Sequence, residues 1–176
     1  RLEGSAANFS VDEGTTVQRA DIKPELTAVL SWNALSLTPR IGARATFYDQ
    51  GATTMEPAER KYTYAGADLN ARVSRVYGKD EDTGIGRVRH SIEPTVSYSY
   101  IPRIEQGDIP QLDAVDQAKE ENVMTFALIN RLTARYKEGT NFRTFDLMVF
   151  RLSQDYDVNE ARNNDLVNAQ PRSELR

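Results

Sequence analysis

Cysteine is absent from this sequence of 176 residues, and histidine occurs once, at His90. Without cysteine the chain can neither form a disulfide nor use thiol chemistry. A single histidine leaves no set of imidazoles for a metal centre, and it argues against a histidine-based nucleophilic triad. No apolar run reaches the 18 or so residues that a membrane-spanning helix needs. These absences remove several classes of enzyme and of helical membrane protein.

An excess of basic charge is also missing. The chain has 22 basic and 26 acidic residues and a net charge of −4, so it offers no broad basic surface for nucleic acid. It has no glycine-rich phosphate loop, and the acidic residues within 102–122 lack the spacing of a calcium-binding loop. We therefore predict no nucleic-acid partner, no cofactor and no metal.

What the sequence does contain is long stretches of alternating polar and apolar residues. From Arg87 to Tyr100 every second residue is apolar or amphipathic and the others are polar, which is the period of a β-strand. This stretch is about twice as long as a strand of an ordinary soluble domain. Seven strands are predicted, at roughly 2–10, 18–32, 35–48, 61–77, 87–101, 122–136 and 142–156. The last is apolar at both parities through Leu147 to Phe150, for which a bulge or a locally packed interior are the two explanations.

Strands of this length, apolar on one face and polar on the other, are typical of outer-membrane barrels, whose tilted strands need about ten residues to cross the hydrocarbon. The connections support this. Short turns are predicted near 33–34, 78–86 and 137–141, and long outer loops near 49–60, 102–122 and 157–176. Aromatic residues on the apolar parity lie near the strand ends, as interfacial girdles do. The predicted girdle consists of Trp32, Phe47, Tyr77, Tyr98, Tyr100, Phe126 and Tyr136.

The predicted fold class is therefore all-β, with long antiparallel up-and-down strands that form part of a large outer-membrane β-barrel. Seven is an odd number, whereas bacterial single-chain barrels have even strand counts. We expect residues 1–176 to be a transmembrane barrel segment of a larger chain, whose remaining strands would pair with the two open edges.

The order and spacing of several motifs resemble the outer-membrane lipopolysaccharide-assembly (LptD) family, also called the organic-solvent-tolerance or OstA family. The resemblance is most specific in "HSIEPTVSYSYIPRIEQGDIPQLDAVDQ" and continues through "NVMTFALINRLTAR" and "LMVFRLSQDYDV". The loop motif consists of Pro102, Gln106, Asp108, Pro110, Asp113 and Asp116. Upstream, "RADIKPELTAVLSW" is similar to another strand of the family.

The resemblance implies a translocon barrel that inserts lipopolysaccharide into the outer leaflet of a Gram-negative outer membrane. It also implies, as partners, lipopolysaccharide, outer-membrane lipids and an LptE-like plug lipoprotein seated inside the barrel.

A row of mainly basic side chains falls on the polar parity, which in a barrel faces the lumen. The lumen-facing candidates are Arg40, Arg44, Arg72, Arg87, Arg89, Glu93, Arg131, Arg135 and Arg151. Arginine binds phosphate through two parallel hydrogen bonds, so this row is suited to anionic sugar-phosphate head groups or to the plug. The alternative for each residue is a solvated wall stabilised by cross-strand charge pairs.

Two other functions stay open at this point. One is a soluble antiparallel β-domain that binds a carbohydrate or a protein partner. The other is a glycan-cleaving enzyme with paired carboxylates such as Glu93 and Asp68, whose separation the sequence does not fix. We predict that the chain is not an enzyme and has no catalytic residues.

Overall fold

The computed structural model describes residues 1–11, 15–79, 84–162 and 170–175. Its strands are β1 (Leu2–Val11), β2 (Thr15–Thr27), β3 (Leu30–Trp32), β4 (Leu35–Tyr48), β5 (Ala58–Ala71), β6 (Val73–Tyr77), β7 (Gly84–Ile101), β8 (Glu121–Glu138) and β9 (Asn141–Asp157). One short helix follows, α1 (Val158–Ala161). Within these ranges no helix has the length and apolar character needed to cross a membrane.

The strands form one sheet in the order β1-β2-β4-β5-β7-β8-β9, while β3 pairs with β4 and β6 pairs with β7. Each pairing whose register is described is antiparallel. Neighbours in the sheet are thus neighbours in the chain, which is an up-and-down topology. The predicted fold class is confirmed, and the seven predicted strands correspond to the seven positions of this order, because β3 and β6 continue β2 and β5.

Proline explains one of these interruptions. In β2 and β4 the register places Thr27 opposite Arg40, so the next residue, Ala28, faces Pro39. The Ala28 N–H donates to the Pro39 carbonyl (3.1 Å), but Pro39 has no N–H to donate in return. The hydrogen-bond ladder with β4 is therefore interrupted at residues 28 and 29. It resumes in β3 with the same register, Leu30 opposite Leu37.

β9 contains a β-bulge, one of the two explanations that its sequence pattern allows. The register with β8 shifts between Leu132 and Thr133, where Leu132 faces Met148 and Thr133 faces Asp146. Leu147 is therefore the extra residue of a β-bulge. Because a bulge shifts the alternation by one residue, it explains why Leu147 and Met148 are both apolar, whereas Val149 is an apolar residue on the polar face, opposite Arg131.

Several chain reversals use left-handed backbone. Asn33, between β3 and β4, has φ 48°, and Gly78 and Gly139 have φ values of 81° and 61°. Glycine adopts this region without a steric cost, and asparagine tolerates it better than most residues. Two connections at the opposite strand ends are longer: residues 49–57 join β4 to β5, and residues 102–120 (the 102–120 loop) join β7 to β8.

The chain divides into two compact units. Unit 1 comprises Arg1–Ala28, Pro39–Ala67 and Ser99–Asn122, and unit 2 comprises Val29–Thr38, Asp68–Tyr98 and Val123–Arg176. In unit 1, Val17, Tyr48 and Ile109 form a small buried cluster. In the described part of unit 2, Ala134 is the buried hydrophobic residue.

Most large hydrophobic side chains of the strands remain exposed instead. On β4 of unit 1, Phe47 is 43% exposed, whereas its neighbours Thr46 and Tyr48 are 0% and 3% exposed. Other exposed hydrophobic residues include Leu26, Trp32, Ile41, Leu69, Val73, Ile92, Phe126 and Phe150. A soluble domain buries such side chains in a core, so each unit presents a hydrophobic face that the described part of the chain leaves uncovered.

Candidate functional site

An extensively hydrogen-bonded polar site lies in unit 1, where two buried arginines hold the 102–120 loop against the sheet. Arg19 of β2 stands directly opposite Tyr48 of β4, so both side chains point to the same face. The Arg19 guanidinium donates two parallel hydrogen bonds to the Asp113 carboxylate (2.7 and 2.8 Å) and a third to Asp116 (2.8 Å). This bidentate geometry is the strong form of the arginine–carboxylate pair. It also holds the pKa of the Asp113 carboxyl below its ordinary value.

Asp116 is the fully buried centre of this arrangement. Its carboxylate also accepts hydrogen bonds from the Tyr48 hydroxyl (2.5 Å) and from the backbone N–H groups of Leu112 and Asp113 (2.9 and 3.0 Å). A buried carboxylate is tolerated only when it is paired and fully hydrogen-bonded, and these donors meet that condition.

Arg60 of β5 holds the same loop through its backbone. The guanidinium donates to the carbonyls of Val115 (2.7 Å) and Asp116 (2.5 Å) and to the side-chain oxygen of Gln106 (2.9 Å). Gln106 in turn donates to the Ala118 carbonyl (2.6 Å). We call Arg19, Tyr48, Arg60 and Asp116 the loop clamp. These contacts fix the 102–120 loop, which has no regular secondary structure, against the polar face of unit 1.

A second set of contacts joins the 102–120 loop to the loop at 49–57. The Asp108 carboxylate accepts from the Thr53 N–H and hydroxyl (3.0 and 2.7 Å) and from the Thr54 hydroxyl (2.9 Å). The Asp108 carbonyl accepts from the Ala52 N–H (3.0 Å). The two long loops of unit 1 are therefore linked to each other as well as to the sheet.

Acid should loosen this link between the loops. The Thr53 hydroxyl and N–H hold the pKa of Asp108 below its ordinary value of 3.8. A lowered pKa in the folded state means that the link is at full strength above about pH 4 and weakens as the pH falls through the folded-state value. We expect hydrogen exchange at Thr53 to accelerate, beyond its intrinsic pH dependence, when the pH falls from 5 to 2. In Asp108→Asn this extra acceleration should be absent, and its persistence there would contradict the assignment.

In unit 2 a pocket of about 460 Å³ collects several of the predicted lumen-facing residues. It is lined by Arg72, Arg89, Arg131 and Glu93, together with Ser74, Ser91, Thr133 and Asp146. Arg72 pairs with Glu93 (3.1 Å) and Arg131 pairs with Asp146. Arg89 is exposed and forms no ion pair with any residue that the structure describes. Three guanidiniums face two carboxylates, so the pocket has an excess of positive charge suited to an anion.

The other predicted lumen-facing residues are dispersed. Arg44 forms an ion pair with Asp21 (2.8 Å) in unit 1, and Arg40 lies against the backbone of Gly66. Arg135 stacks over the ring of Phe142 at 3.8 Å. Arg151 stands opposite Ile129, and Arg87 is exposed. The pairing of Arg72 with Glu93 also gives Glu93 a structural partner.

The remaining predicted residues occupy the loops and the strand ends. Pro102 and Pro110 lie in the 102–120 loop, and Pro110 is buried against the neighbouring loop. Of the predicted girdle, Trp32, Phe47, Tyr77, Tyr100, Phe126 and Tyr136 are exposed, while Tyr98 is half-buried. Their roles in a membrane interface stay predictions.

The sequence analysis did not identify the three residues of the loop clamp that lie on strands. It singled out Asp113 and Asp116 but not Arg19, Tyr48 or Arg60. All three lie on the polar parity near strand ends, which was the available signal: Tyr48 and Arg60 flank the 49–57 loop, and Arg19 lies near the start of β2. No local spacing connects them to the loop, because the partners Arg19 and Asp116 are 97 residues apart in the chain.

Comparison with known proteins gives two matches. The family model described as LPS transport system D matches residues 1–133. The chain is also 28% identical over 100 residues to the LPS-assembly protein LptD of Methylococcus capsulatus. That alignment covers 55% of this chain and 9% of the relative, so the chain corresponds to a small part of that protein. No solved structure matches.

Proposed function

Because the chain belongs to the LPS transport system D family, we propose that residues 1–176 are a transmembrane segment of the outer-membrane barrel that inserts lipopolysaccharide into the outer leaflet. The remaining strands of the same barrel would pair with β1 and β9. The cell outer membrane of a Gram-negative bacterium would be the location, with lipopolysaccharide, outer-membrane lipids and an LptE-like plug lipoprotein as partners.

The observation that carries this proposal is the division of the sheet into a hydrophobic and a polar face on strands of up to 18 residues. A membrane barrel needs such strands, because a tilted strand must cross about 30 Å of hydrocarbon. It also needs hydrophobic side chains on the surface and polar ones inside. The exposed Phe47 next to the buried Thr46 and Tyr48 has this arrangement in unit 1.

The pocket of unit 2 is the best candidate for contact with substrate. Lipopolysaccharide carries phosphate groups, and guanidinium groups bind phosphate through charge-assisted hydrogen bonds. Arg89 has no competing carboxylate among the described residues, whereas Arg72 and Arg131 are each held by one. We therefore assign to Arg89 the direct contact with phosphate, and to Arg72 and Arg131 the shaping of the pocket.

Substitution of Arg89 tests this assignment. In the intact protein, Arg89→Gln should weaken lipopolysaccharide binding by about tenfold to a hundredfold, since one charge-assisted hydrogen bond contributes about 1.5–3 kcal/mol. Photo-crosslinking of lipopolysaccharide in proteoliposomes measures the effect. Arg143→Gln is the matched control, because Arg143 is an exposed arginine of the same unit that does not line the pocket. Equal binding by the two variants would remove the pocket from the transport path.

A further inference from the structure

Three polar side chains form a row across the hydrophobic face of unit 2. The register of β6 and β7 places Val73 opposite Ile92, Arg75 opposite His90, and Tyr77 opposite Val88. Residues directly opposite each other in an antiparallel pair point to the same face. Arg75 and His90 therefore share a face with Val73, Tyr77, Val88 and Ile92, and they lie on the side away from Arg89 and the pocket.

The third member of the row is Asn130 of β8. Its side-chain oxygen lies 2.9 Å from His90 Nε2, so it points to the same face as His90. Its β9 partner on that face is the exposed Phe150. We call Arg75, His90 and Asn130 the polar row. It runs across three adjacent strands, β6, β7 and β8, and so extends for about 10 Å at the usual strand spacing.

The members of the polar row differ in whether a described residue provides them with a polar partner. The hydrogen bond between His90 and Asn130 (2.9 Å) lowers the cost of placing these two polar groups on a mainly apolar face. Arg75 is exposed, its guanidinium stacks over Tyr77 at 5.4 Å, and no carboxylate pairs with it among the described residues. An arginine on such a face keeps a positive charge that the described residues do not neutralise.

We propose that the polar row binds the head group of an anionic phospholipid, with the Arg75 guanidinium on the phosphate and the His90–Asn130 pair beside the rest of the head group. This inference rests on the proposed function, because it takes the hydrophobic face as the one in contact with lipid.

Charge and position both favour this occupant. Arg75 lies two residues before Tyr77, at the end of β6 that leads into a glycine-containing reversal at Gly78. Short reversals of outer-membrane barrels lie on the periplasmic side, whose leaflet consists of phospholipid. Arginine close to an interface costs little, and it attracts anionic head groups by about 1 kcal/mol per basic residue. A tyrosine beside it suits the same interfacial depth.

The test uses the intact protein in nanodiscs that contain phosphatidylglycerol or phosphatidylcholine, with lipids that survive detergent extraction counted by native mass spectrometry. We expect the wild-type protein to retain phosphatidylglycerol about fivefold more than phosphatidylcholine. Arg75→Gln should abolish this preference, and Arg75→Lys should preserve it because the charge remains. Equal retention of the two lipids by the wild type, or an unchanged preference in Arg75→Gln, would overturn the inference.

A second variant separates this inference from the proposed function. Arg89→Gln removes a cation from the opposite face of the same strand pair, so it should reduce lipopolysaccharide binding while the lipid preference stays. Normal lipopolysaccharide binding by Arg89→Gln would contradict the assignment of the pocket to substrate and would leave the inference about the polar row intact. A photo-crosslinker at Val73, which shares the face with Arg75, should capture lipid. Capture of a protein there would overturn the inference about phospholipid.

Discussion

Replacing Asp116 with alanine should release the 102–120 loop from the sheet of unit 1. The substitution leaves Arg19 with one carboxylate instead of two and deprives the Tyr48 hydroxyl of its acceptor. A hydrogen bond to a charged group contributes about 1.5–3 kcal/mol, and Asp116→Ala removes those from Arg19 and Tyr48, although Arg19 keeps its bidentate pair with Asp113. Limited proteolysis of the intact protein in membranes should show cleavage within 102–120 that the wild type resists.

The control for this experiment is Glu105→Gln in the same loop. Glu105 is exposed and forms no part of the loop clamp, so its substitution should leave the loop protected. A variant that keeps more of the hydrogen bonding, Asp116→Asn, should give an intermediate effect, because an amide oxygen still accepts from Tyr48 and Arg19. Equal protection of the loop in Asp116→Ala and wild type would show that other contacts hold it.

The second large effect is expected on the hydrophobic face of β4. Ile41 is 59% exposed and occupies the middle of this strand, away from both ends. If lipid covers that face, Ile41→Lys places a charge in hydrocarbon and should cost about 2–4 kcal/mol near the bilayer midplane. Urea titration of the refolded intact protein in lipid vesicles would measure the loss of unfolding free energy.

Thr38→Lys provides the comparison on the same strand. Thr38 has the opposite parity from Ile41, so its side chain belongs to the polar face and a lysine there should remain hydrated. We expect its effect to stay below about 1 kcal/mol. If Thr38→Lys and Ile41→Lys destabilised the protein equally, the two faces of β4 would have been assigned wrongly.

Much of the fold was predictable because a β-sheet with one hydrophobic face writes its period directly into the sequence. The alternation from Leu35 to Tyr48 gave β4 with its observed bounds, and that from Arg87 gave most of β7. The interruption at residues 28 and 29 was not predicted. It depends on Pro39 of the next strand, and a register between strands has no signature in the local alternation.

The site was only half predictable for the same reason. The loop carboxylates stood out because the motif around Asp108, Asp113 and Asp116 resembles a known family. Arg19 and Arg60 look like any other polar residue of an alternating strand, and only the folded chain brings them to the loop. Likewise, His90 and Asn130 both have the apolar parity of their strands, but only the structure shows the hydrogen bond that joins them.

The distance along the chain between Arg19 and Asp116 bears on the order of assembly. Contacts between residues far apart in sequence are entropically expensive until the intervening chain is organised. β4, β5 and β7 lie between these two residues, so we expect the loop to dock only after those hairpins have zipped together. Resistance of the 102–120 loop to proteases would then show that this part of the sheet has formed. A trapped folding intermediate would be recognisable because proteases still cleave its loop.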